Sequence, residues 1–328
     1  MSNNNFTNRR VLITGGLGFI GSNLACRLVA SGAKVTLVDS LVPQYGGNTV
    51  NIADIADKVT VNISDVRDPH SMQYLVQGQD YLFNLAGQTS HMDSMHDPFT
   101  DMEINCKAQL SILEACRHHN PDIRIVYAST RQFYGKPEYL PVDEKHPLKP
   151  VDINGIHKLS GEWYHTLYSN VYDMNTCSLR LTNTYGPRMR VKDTRQTFVG
   201  IWVRLILEGK PFEVWEGHQK RDFTYVDDVV DAMLLAADHA DTTGEAYNVG
   251  GMDVVSLNEL AQILVNANDG GDVIHKSYPE DRKRIDIGDY YADDTKLRTT
   301  FGWQPKVDLA QGLSRTLAYY RQHLPKYL

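Results

Sequence analysis

The chain has 328 residues, 42% of them hydrophobic and 22% charged, proportions that are typical of a folded globular protein and exclude disordered, collagen-like and coiled-coil classes. Lys and Arg total 33 against 40 Asp and Glu, and the formal charge is -7. This balance argues against a nucleic-acid interface built on phosphate neutralisation, but it allows a local basic site for one anionic ligand.

No apolar run approaches the roughly 20 residues that a membrane-spanning helix needs, so we expect no membrane association and a cytoplasmic protein. The cysteines, Cys26, Cys106, Cys116 and Cys177, form no C-x-x-C pair, and we expect them to be buried thiols in a reducing compartment. No set of His, Cys, Asp and Glu has the spacing of metal ligands, so no metal is predicted.

In chain order, the first half alternates short apolar runs with stretches of helical periodicity. The first strand is predicted at residues 11–14, and Ile20, Leu24 and Leu28 recur at one-turn spacing on a helix that Gly32 ends. Further strands are predicted at 34–39, 58–63, 81–86, 123–128 and 176–181, with helices at 103–118 and 158–171. This alternation is typical of β-α-β units, so the predicted fold class is α/β with a doubly wound parallel sheet.

The alternation loosens in the second half of the chain. Helices are predicted at residues 197–208 and 227–239, with a glycine-containing turn at 216–218 between them. These features predict a smaller C-terminal α/β lobe that binds substrate. We expect a first, nucleotide-binding domain formed by residues 1–182 and 226–251, and a second lobe formed by residues 183–225 and 252–328.

Residues 14–21, with the sequence TGGLGFIG, lie between the first strand and the first helix. Small residues at this turn allow the backbone to approach a pyrophosphate, and the helix N-terminus supplies N–H donors. Asp39 ends the second strand, where its carboxylate can accept both hydroxyls of an adenosine ribose and repel a 2'-phosphate. The order of strand, glycines, helix, strand and acid favours a dinucleotide site over a simple tight turn, and it predicts NAD rather than NADP.

The TGGLGFIG segment resembles the fingerprint of extended short-chain dehydrogenases/reductases, the nucleotide-sugar epimerase and dehydratase family. Other segments resemble further motifs of this family in the same order, namely DVR at 65–67, NLAGQ at 84–88, YAST at 127–130, RLTNTYGP at 180–187 and RDFTYVDD at 221–228. The resemblance covers almost the whole chain. It implies a Rossmann-type sheet, bound NAD, a nucleotide-diphosphate sugar as substrate, and a homodimer formed through the helices at 103–118 and 158–171.

The resemblance also implies roles for single residues. Cofactor contacts are implied for Gly15, Gly18, Phe19, Ile20, Gly21, Asp39, Asp65, Val66, Leu85, Ala86, Gly87 and Lys158. Substrate contacts are implied for Gln88, Thr130, Arg131, Asn183, Arg221 and Arg282. Guanidinium groups hold phosphate oxygens in a fixed geometry, which suits the last two arginines, although each could instead pair with a neighbouring acid at the surface.

The sequence departs from the family at its Y-x-x-x-K motif. Lys158 matches the lysine, but Asn154 stands where the family has tyrosine. The catalytic residues that the resemblance implies are therefore Thr130, Asn154 and Lys158. Asparagine has no proton that titrates near neutral pH and cannot act as a general base. Either another group deprotonates the sugar or catalysis has been lost. The candidate replacement bases are His157, Asp152, His91, Asp93 and Tyr134.

The residues after Thr130 favour one reaction class. They are Arg131 and Gln132, whereas sugar 4,6-dehydratases carry an Asp-Glu pair there and decarboxylases of nucleotide-linked uronic acids keep a glutamate at the second position. We therefore expect NAD-dependent epimerisation of a nucleotide-diphosphate sugar through a transient keto intermediate. The alternatives are a dehydratase, decarboxylase or oxidase that uses another base, or an NAD- and nucleotide-sugar-binding protein without catalysis.

Overall fold

The computed structural model describes residues 4–239, 242–278 and 286–328. Its strands are β1 (Arg10–Thr14), β2 (Lys34–Asp39), β3 (Val59–Ile63), β4 (Tyr81–Asn84), β5 (Arg124–Thr130), β6 (Thr176–Leu181), β7 (Asn183–Tyr185), β8 (Phe212–Trp215), β9 (Lys220–Tyr225), β10 (Ala246–Val249), β11 (Val254–Ser256) and β12 (Val273–Lys276).

The helices are α1 (Phe19–Ala30), α2 (Pro69–Leu75), α3 (His91–His96), α4 (Pro98–Met102), α5 (Ala108–His119), α6 (Ile153–Tyr172), α7 (Phe198–Leu207), α8 (Val226–Asp238), α9 (Leu257–Ala267), α10 (Thr295–Phe301) and α11 (Leu309–His323). A π-helical turn at Glu103–Lys107 joins α4 to α5.

The strands of the largest sheet in the described part of the chain follow the order β3-β2-β1-β4-β5-β6-β10. The pairs β2–β3, β1–β2, β1–β4 and β4–β5 are parallel, and Ile13 of β1 lies opposite Leu37 and Phe83 on its two neighbours. Chain order reverses on the two sides of β1, which is the doubly wound Rossmann arrangement. The predicted fold class is confirmed.

The core beside this sheet is formed by apolar side chains from strands and from the helices that cover them. Leu12, Leu82 and Ile125 of three adjacent strands belong to the same buried cluster as Met72 of α2 and Ile112 of α5. Strands buried on both faces carry continuous apolar runs, as the sequence of β1 does. Burial of this cluster fixes the register of the sheet, and thereby the positions of the loops at the carboxyl ends of β1, β4 and β5.

The predicted elements agree with the structure except at some ends. The helix predicted at 158–171 begins at Ile153, because the Asp152 side chain accepts the Gly155 N–H and caps it. The strand predicted to reach residue 86 ends at Asn84, because the N–H groups of Leu85 and Ala86 donate to the Thr14 hydroxyl instead. Strand β10 of the large sheet was not predicted. The other elements that were not predicted are the strands β7, β8, β9, β11 and β12 and the helices α2, α3, α4, α9, α10 and α11.

The chain divides into two compact units. The first comprises residues 1–130, 152–180 and 230–247, and the second comprises residues 131–151, 181–229 and 248–328. In contrast to the predicted boundaries, residues 131–151 group with the second unit. That unit holds a three-stranded sheet in the order β11-β9-β7 and the parallel pair β8–β12, together with α7 and α9.

Two further predictions concern the whole chain. Among the residues that the structure describes, no helix is both long enough and apolar enough to cross a membrane. The four cysteines all lie in the described residues, and none forms a disulfide bond. Cys116 and Cys177 are buried as predicted, whereas Cys26 and Cys106 are partly exposed, so the expectation of burial was wrong for these two.

Candidate active site

The turn after β1 is shaped by glycines. Gly15 has a φ of +66°, and a Cβ at this position would lie 3.1 Å from the backbone nitrogen of Ala86. A Cβ on Gly21 would lie 2.3 Å from the Gly15 carbonyl oxygen, so a side chain there would clash with the turn. Gly18 directly precedes α1, whose first N–H groups have no partner within the helix. The turn thus presents bare backbone and a helix N-terminus to an anion.

Asp39, at the end of β2, is tied to the same turn. Its carboxylate accepts the Leu17 N–H at 3.1 Å and the Leu41 N–H at 2.9 Å. Burial raises the pKa of Asp39, while these two backbone hydrogen bonds act in the opposite direction. The structure therefore brings the predicted ribose-binding carboxylate together with the glycine turn, although they are about 20 residues apart in the sequence.

Two of the residues predicted to contact the cofactor, Asp65 and Val66, follow β3. The Asp65 carboxylate binds Arg67 at 2.7 Å, and this hydrogen bond holds the pKa of Asp65 below its usual value. Val66 is buried in the core. Arg67 also lies 3.2 Å from Glu103, so the Asp65 loop is connected to the π-helical turn before α5.

The segment after β4 is fixed to the end of β1 by Thr14. Its hydroxyl donates to Asn84 at 2.9 Å and accepts the N–H groups of Leu85 and Ala86 at 3.0 and 3.1 Å. The chain then reaches Gly87. A Cβ on Gly87 would lie 3.0 Å from Asn105 Oδ1 and 3.8 Å from Lys158 Nζ.

Asn105 was not predicted from the sequence. It is fully buried, and its Oδ1 has no hydrogen-bond partner among the described residues. A buried acceptor without a partner beside a glycine marks a place where a ligand can complete the hydrogen bonding. The signal in the sequence is weak, because Asn105 lies within the polar start of a helix.

Lys158 is buried on α6. Its ammonium donates to the Ala128 carbonyl oxygen of β5 at 2.6 Å and lies 4.4 Å from the centre of the Tyr127 ring. Burial lowers the pKa of Lys158 to about 8, and the carboxylates of Asp101 and Glu162 only partly oppose this effect. The Lys158 ammonium thus lies near the carboxyl end of β5. Its partner Ala128 is two residues before Thr130, the last residue of the strand.

Asn154 lies one helical turn before Lys158 and is only 2% exposed. Its amide nitrogen donates to the Gln88 carbonyl oxygen at 2.9 Å, to Gln88 Oε1 at 3.2 Å and to Asp101 Oδ2 at 2.9 Å. Gln88 itself is buried and donates to the Ser90 carbonyl oxygen. Asn154 therefore connects α6 to the loop after β4 and to α4. Its amide group cannot act as a base.

Two histidine–aspartate pairs lie beside Asn154. His91 Nδ1 lies 2.7 Å from Asp152 Oδ2, and His157 Nδ1 lies 2.7 Å from Asp101 Oδ1. The side chain of His91 is 48% exposed, whereas that of His157 is 15% exposed. The sequence predicted both histidines and Asp152 as candidate bases, but neither the pairing nor Asp101.

The other candidate bases differ in their surroundings. Tyr134 is fully buried, and its hydroxyl donates to Asn248 Oδ1 at 2.8 Å. Asp93 is partly exposed in the first turn of α3, and its backbone N–H donates to the Ser90 hydroxyl that caps this helix.

Three predicted substrate residues cluster within the second unit. Arg131 lies 3.4 Å from Asn183 Oδ1 and 4.8 Å from the centre of the Tyr290 ring, and Asn183 donates to the Asp222 carbonyl oxygen at 3.0 Å. Arg221 is buried and donates to two backbone carbonyl oxygens.

Arg221 interacts electrostatically with the Arg131 guanidinium and with the carboxylates of Asp286 and Asp289. Burial and the nearby Arg131 guanidinium lower the pKa of Arg221 to about 10, and Asp286 lies 3.7 Å away. Two guanidinium groups held close together favour a bound anion. The remaining predicted residue, Arg282, lies outside the described residues.

Comparison with known proteins identifies the family. Residues 11–250 match the family model described as "NAD dependent epimerase/dehydratase family". The chain belongs to this family. The resemblance seen in the sequence motifs is thereby confirmed, and so is NAD as the cofactor.

Members of the NAD-dependent epimerase/dehydratase family match this chain over nearly its full length. A putative UDP-glucose 4-epimerase of Methanocaldococcus jannaschii is 32% identical over 95% of this chain and 99% of its own. A dTDP-glucose 4,6-dehydratase of Streptomyces niveus is 30% identical over 96% of this chain and 93% of its own. The crystal structure of a Thermotoga maritima UDP-glucose 4-epimerase with UDP-glucose has a TM-score of 0.88, with 29% identity, and covers 96% of this chain and 99% of the relative.

The residues of the first unit fit the family's cofactor. A side chain at Gly15 or Gly21 would fill the turn that faces the helix N-terminus, and the unsatisfied Asn105 oxygen lies beside Gly87 and Lys158. Both features leave room and hydrogen-bonding capacity for a dinucleotide that crosses the carboxyl ends of β1 and β4.

Proposed function

We propose that this protein epimerises a nucleotide-diphosphate sugar with bound NAD, through a transient keto intermediate. The observation that carries the proposal is the arrangement at Lys158, whose buried ammonium lies beside Gly87 and the orphaned Asn105 oxygen in an NAD-dependent family. NAD, when bound, takes a hydride from one sugar carbon and returns it. The rest of the chemistry falls to residues of the chain.

We assign these residues the following actions. Lys158 holds the nicotinamide ribose, and its charge favours loss of a proton from a neighbouring hydroxyl. Thr130, at the end of β5, hydrogen-bonds the reacting hydroxyl of the sugar. Asn154 keeps Gln88 and Asp101 in place through its three hydrogen bonds. Arg131 and Arg221 in the second unit bind the diphosphate, which supplies the anion that their two charges favour.

Epimerisation is favoured over dehydration by the residues after Thr130. A dehydratase or decarboxylase needs an acid or base there to move protons on the sugar, and this chain has Arg131 and Gln132. Gln132 is buried and has no titratable proton. Named 4-epimerases among the relatives support the same choice, and the substrate proposed by this likeness is a UDP-sugar.

The protein is also proposed to form a homodimer through α6. Four large apolar side chains, Ile156, Trp163, Leu167 and Val171, are exposed on this helix at spacings of seven, four and four residues. Such spacing places them on one face. A contiguous exposed apolar face of this kind is typical of an interaction surface, and a second copy of the chain is its proposed partner.

The function is tested by rapid mixing of the NAD-loaded protein with UDP-, GDP-, CDP- and dTDP-sugars, with the free nucleoside diphosphates as controls. We expect a transient absorbance of reduced nicotinamide with one sugar, and conversion of that sugar to its epimer without added cofactor. Tight sugar binding without any absorbance change or product would contradict the proposal.

A second candidate function rests on Asn154. The Asn154 amide nitrogen already donates to Gln88 and Asp101, and the side chain cannot titrate. The alternative is therefore a protein that binds NAD and a nucleotide sugar without turnover. Turnover by an Asn154→Tyr variant, together with none by the wild type, would favour that alternative. Robust turnover by the wild type would eliminate it.

A further inference from the structure

The pair formed by His91 and Asp152 has the geometry of an oriented imidazole base. Asp152 is almost fully buried, and its two oxygens have separate partners: Oδ1 accepts the Gly155 N–H at 2.7 Å, and Oδ2 lies 2.7 Å from His91 Nδ1. A carboxylate at this distance accepts a hydrogen bond from the Nδ1–H group, which makes Nε2 the basic nitrogen of the neutral ring. The imidazole is half exposed, so a ligand can reach it.

The pair is fixed to the part of α6 that carries the altered motif. Asp152 is the N-cap of α6 and lies two residues before Asn154. The Asn154 N–H donates to the Ser94 hydroxyl at 3.2 Å, and that hydroxyl donates to the His91 carbonyl oxygen at 2.7 Å. Three links, through Asp152, Ser94 and Gln88, thus hold the loop after β4 and the start of α3 against the first turn of α6.

We propose that His91 is the general base that replaces the missing tyrosine, with Asp152 as its positioning residue. The inference rests on the proposed epimerase function and names the base of that same site. His91 accepts the sugar hydroxyl proton on Nε2 as the C–O bond becomes a carbonyl and the carbon gives up its hydride to the cofactor. It returns this proton when the hydride is restored to the opposite face of the carbon, so His91 ends as it began and the sugar ends as its epimer.

The second pair is a weaker candidate for this role. Asp101 holds His157 through Oδ1, while its Oδ2 accepts the amide groups of Asn105 and Asn154. His157 is largely buried in this network. Its hydrogen bonds therefore brace α4 against α6, whereas the more exposed His91 ring is open to a substrate.

Other titratable and charged groups lie on α3, which carries His91, and on the two helices packed against it. They are Asp93 and His96 on α3, Asp97 at the start of α4 and Asp101 within it, and Asp152 at the start of α6 and His157 and Lys158 within it.

The experiment compares variants of the NAD-loaded protein with the sugar that the wild type converts. His91→Gln should lower kcat roughly a hundred- to ten-thousandfold with a smaller effect on KM, and it should abolish the fall in kcat at acid pH. Added imidazole should restore part of the rate of His91→Ala. Asp152→Asn keeps a good helix cap, and it should lower kcat with a smaller effect on KM. His96→Gln, on the same helix and exposed, is the matched control and should leave kcat unchanged.

A readout independent of turnover completes the test. Nitrogen NMR of the His91 imidazole should show the proton on Nδ1 in the wild type, and this preference should be lost in Asp152→Asn. Bound NAD and the thermal midpoint report whether each variant is folded.

The outcomes separate the two proposals. Wild-type kcat and an unchanged pH profile in His91→Gln would overturn the assignment of His91 while the epimerase function stood. If the fall in kcat at acid pH disappears in His157→Gln instead, the general base is His157. Absence of turnover by the wild type with every sugar would overturn both proposals.

Discussion

At Lys158 a positive charge is buried next to a backbone carbonyl, an aromatic ring and a glycine. Its hydrogen bond to Ala128 and the Tyr127 ring compensate only part of the lost hydration, since burial still lowers the pKa of Lys158 to about 8. A site that binds a ribose and polarises a hydroxyl needs this charge before the ligand arrives. The ionised group in the interior therefore lowers the stability of the folded, ligand-free protein.

Burial of this charge predicts that the free energy of unfolding depends on pH. Between pH 8 and 10.5 the unfolded chain holds the Lys158 proton more tightly than the folded protein, so the stability of the wild type rises with pH through this window. At pH 7, Lys158→Met, which preserves the volume, should increase the free energy of unfolding of the NAD-free protein by about 2–3 kcal/mol, since one pKa unit is worth about 1.4 kcal/mol. Denaturant titrations at pH 7 and 10 measure the difference.

The difference between the two proteins should shrink at pH 10, where the wild-type lysine is neutral in the fold. The exposed Lys58, replaced by Met, is the control and should show no such pH dependence. A Lys158→Met protein that is less stable than the wild type at pH 7 would show that the hydrogen bond to Ala128 outweighs the burial of charge.

Helix α6 has two faces with different tasks. One face buries Asn154, Lys158 and Glu162, of which Glu162 forms an ion pair with Arg180 at 2.6 Å. The other face exposes the apolar side chains proposed for the homodimer, and Trp163 on it is 57% exposed. A helix that is apolar on its outer face gains stability only when that face is covered.

We therefore expect Trp163→Glu to convert the proposed dimer to a monomer, with an increase of at least a hundredfold in the dissociation constant. Desolvation of a charge at the centre of an interface opposes association by several kcal/mol. Light scattering across a concentration series measures the change. Tyr74→Glu, on the exposed face of α2, is the matched control. A wild type that is monomeric at all concentrations would contradict the proposed dimer.

The sequence predicted elements more reliably than it predicted the contacts between them. The positions of the first six strands and the glycine turn followed from periodicity and from local steric requirements, and they are confirmed. The pairs His91–Asp152 and His157–Asp101 join residues 61 and 56 positions apart. They depend on how the loop after β4 and helix α4 pack against α6, which no local pattern specifies. The Asn154 substitution was visible, but its three hydrogen bonds were not.

At the scale of the molecule, the residues with assigned roles fall into two groups, each within one compact unit. The first group gathers at the carboxyl ends of β1, β2, β4 and β5, where loops from four strands contribute short segments. The second is the cationic cluster of Arg131 and Arg221 with Asn183. Because the residues assigned to the cofactor all belong to the first unit, cofactor binding can be measured on the full chain in the absence of sugar.

Ligand-linked stability provides that measurement. A ligand that binds only the folded protein stabilises it by about 2.7 kcal/mol at a concentration of 100 Kd, so NAD should raise the thermal midpoint of NAD-free protein. NADP should raise it less, because its 2'-phosphate would approach the Asp39 carboxylate. Asp39→Asn should weaken NAD binding about tenfold or more, since hydrogen bonds to charged groups contribute roughly 1.5–3 kcal/mol, and it should narrow the gap between the two dinucleotides. The control is Asp57→Asn, at an exposed position, which should leave the thermal-midpoint shifts caused by NAD and by NADP unchanged. Equal shifts by NAD and NADP in the wild type would exclude Asp39 as the group that discriminates between them.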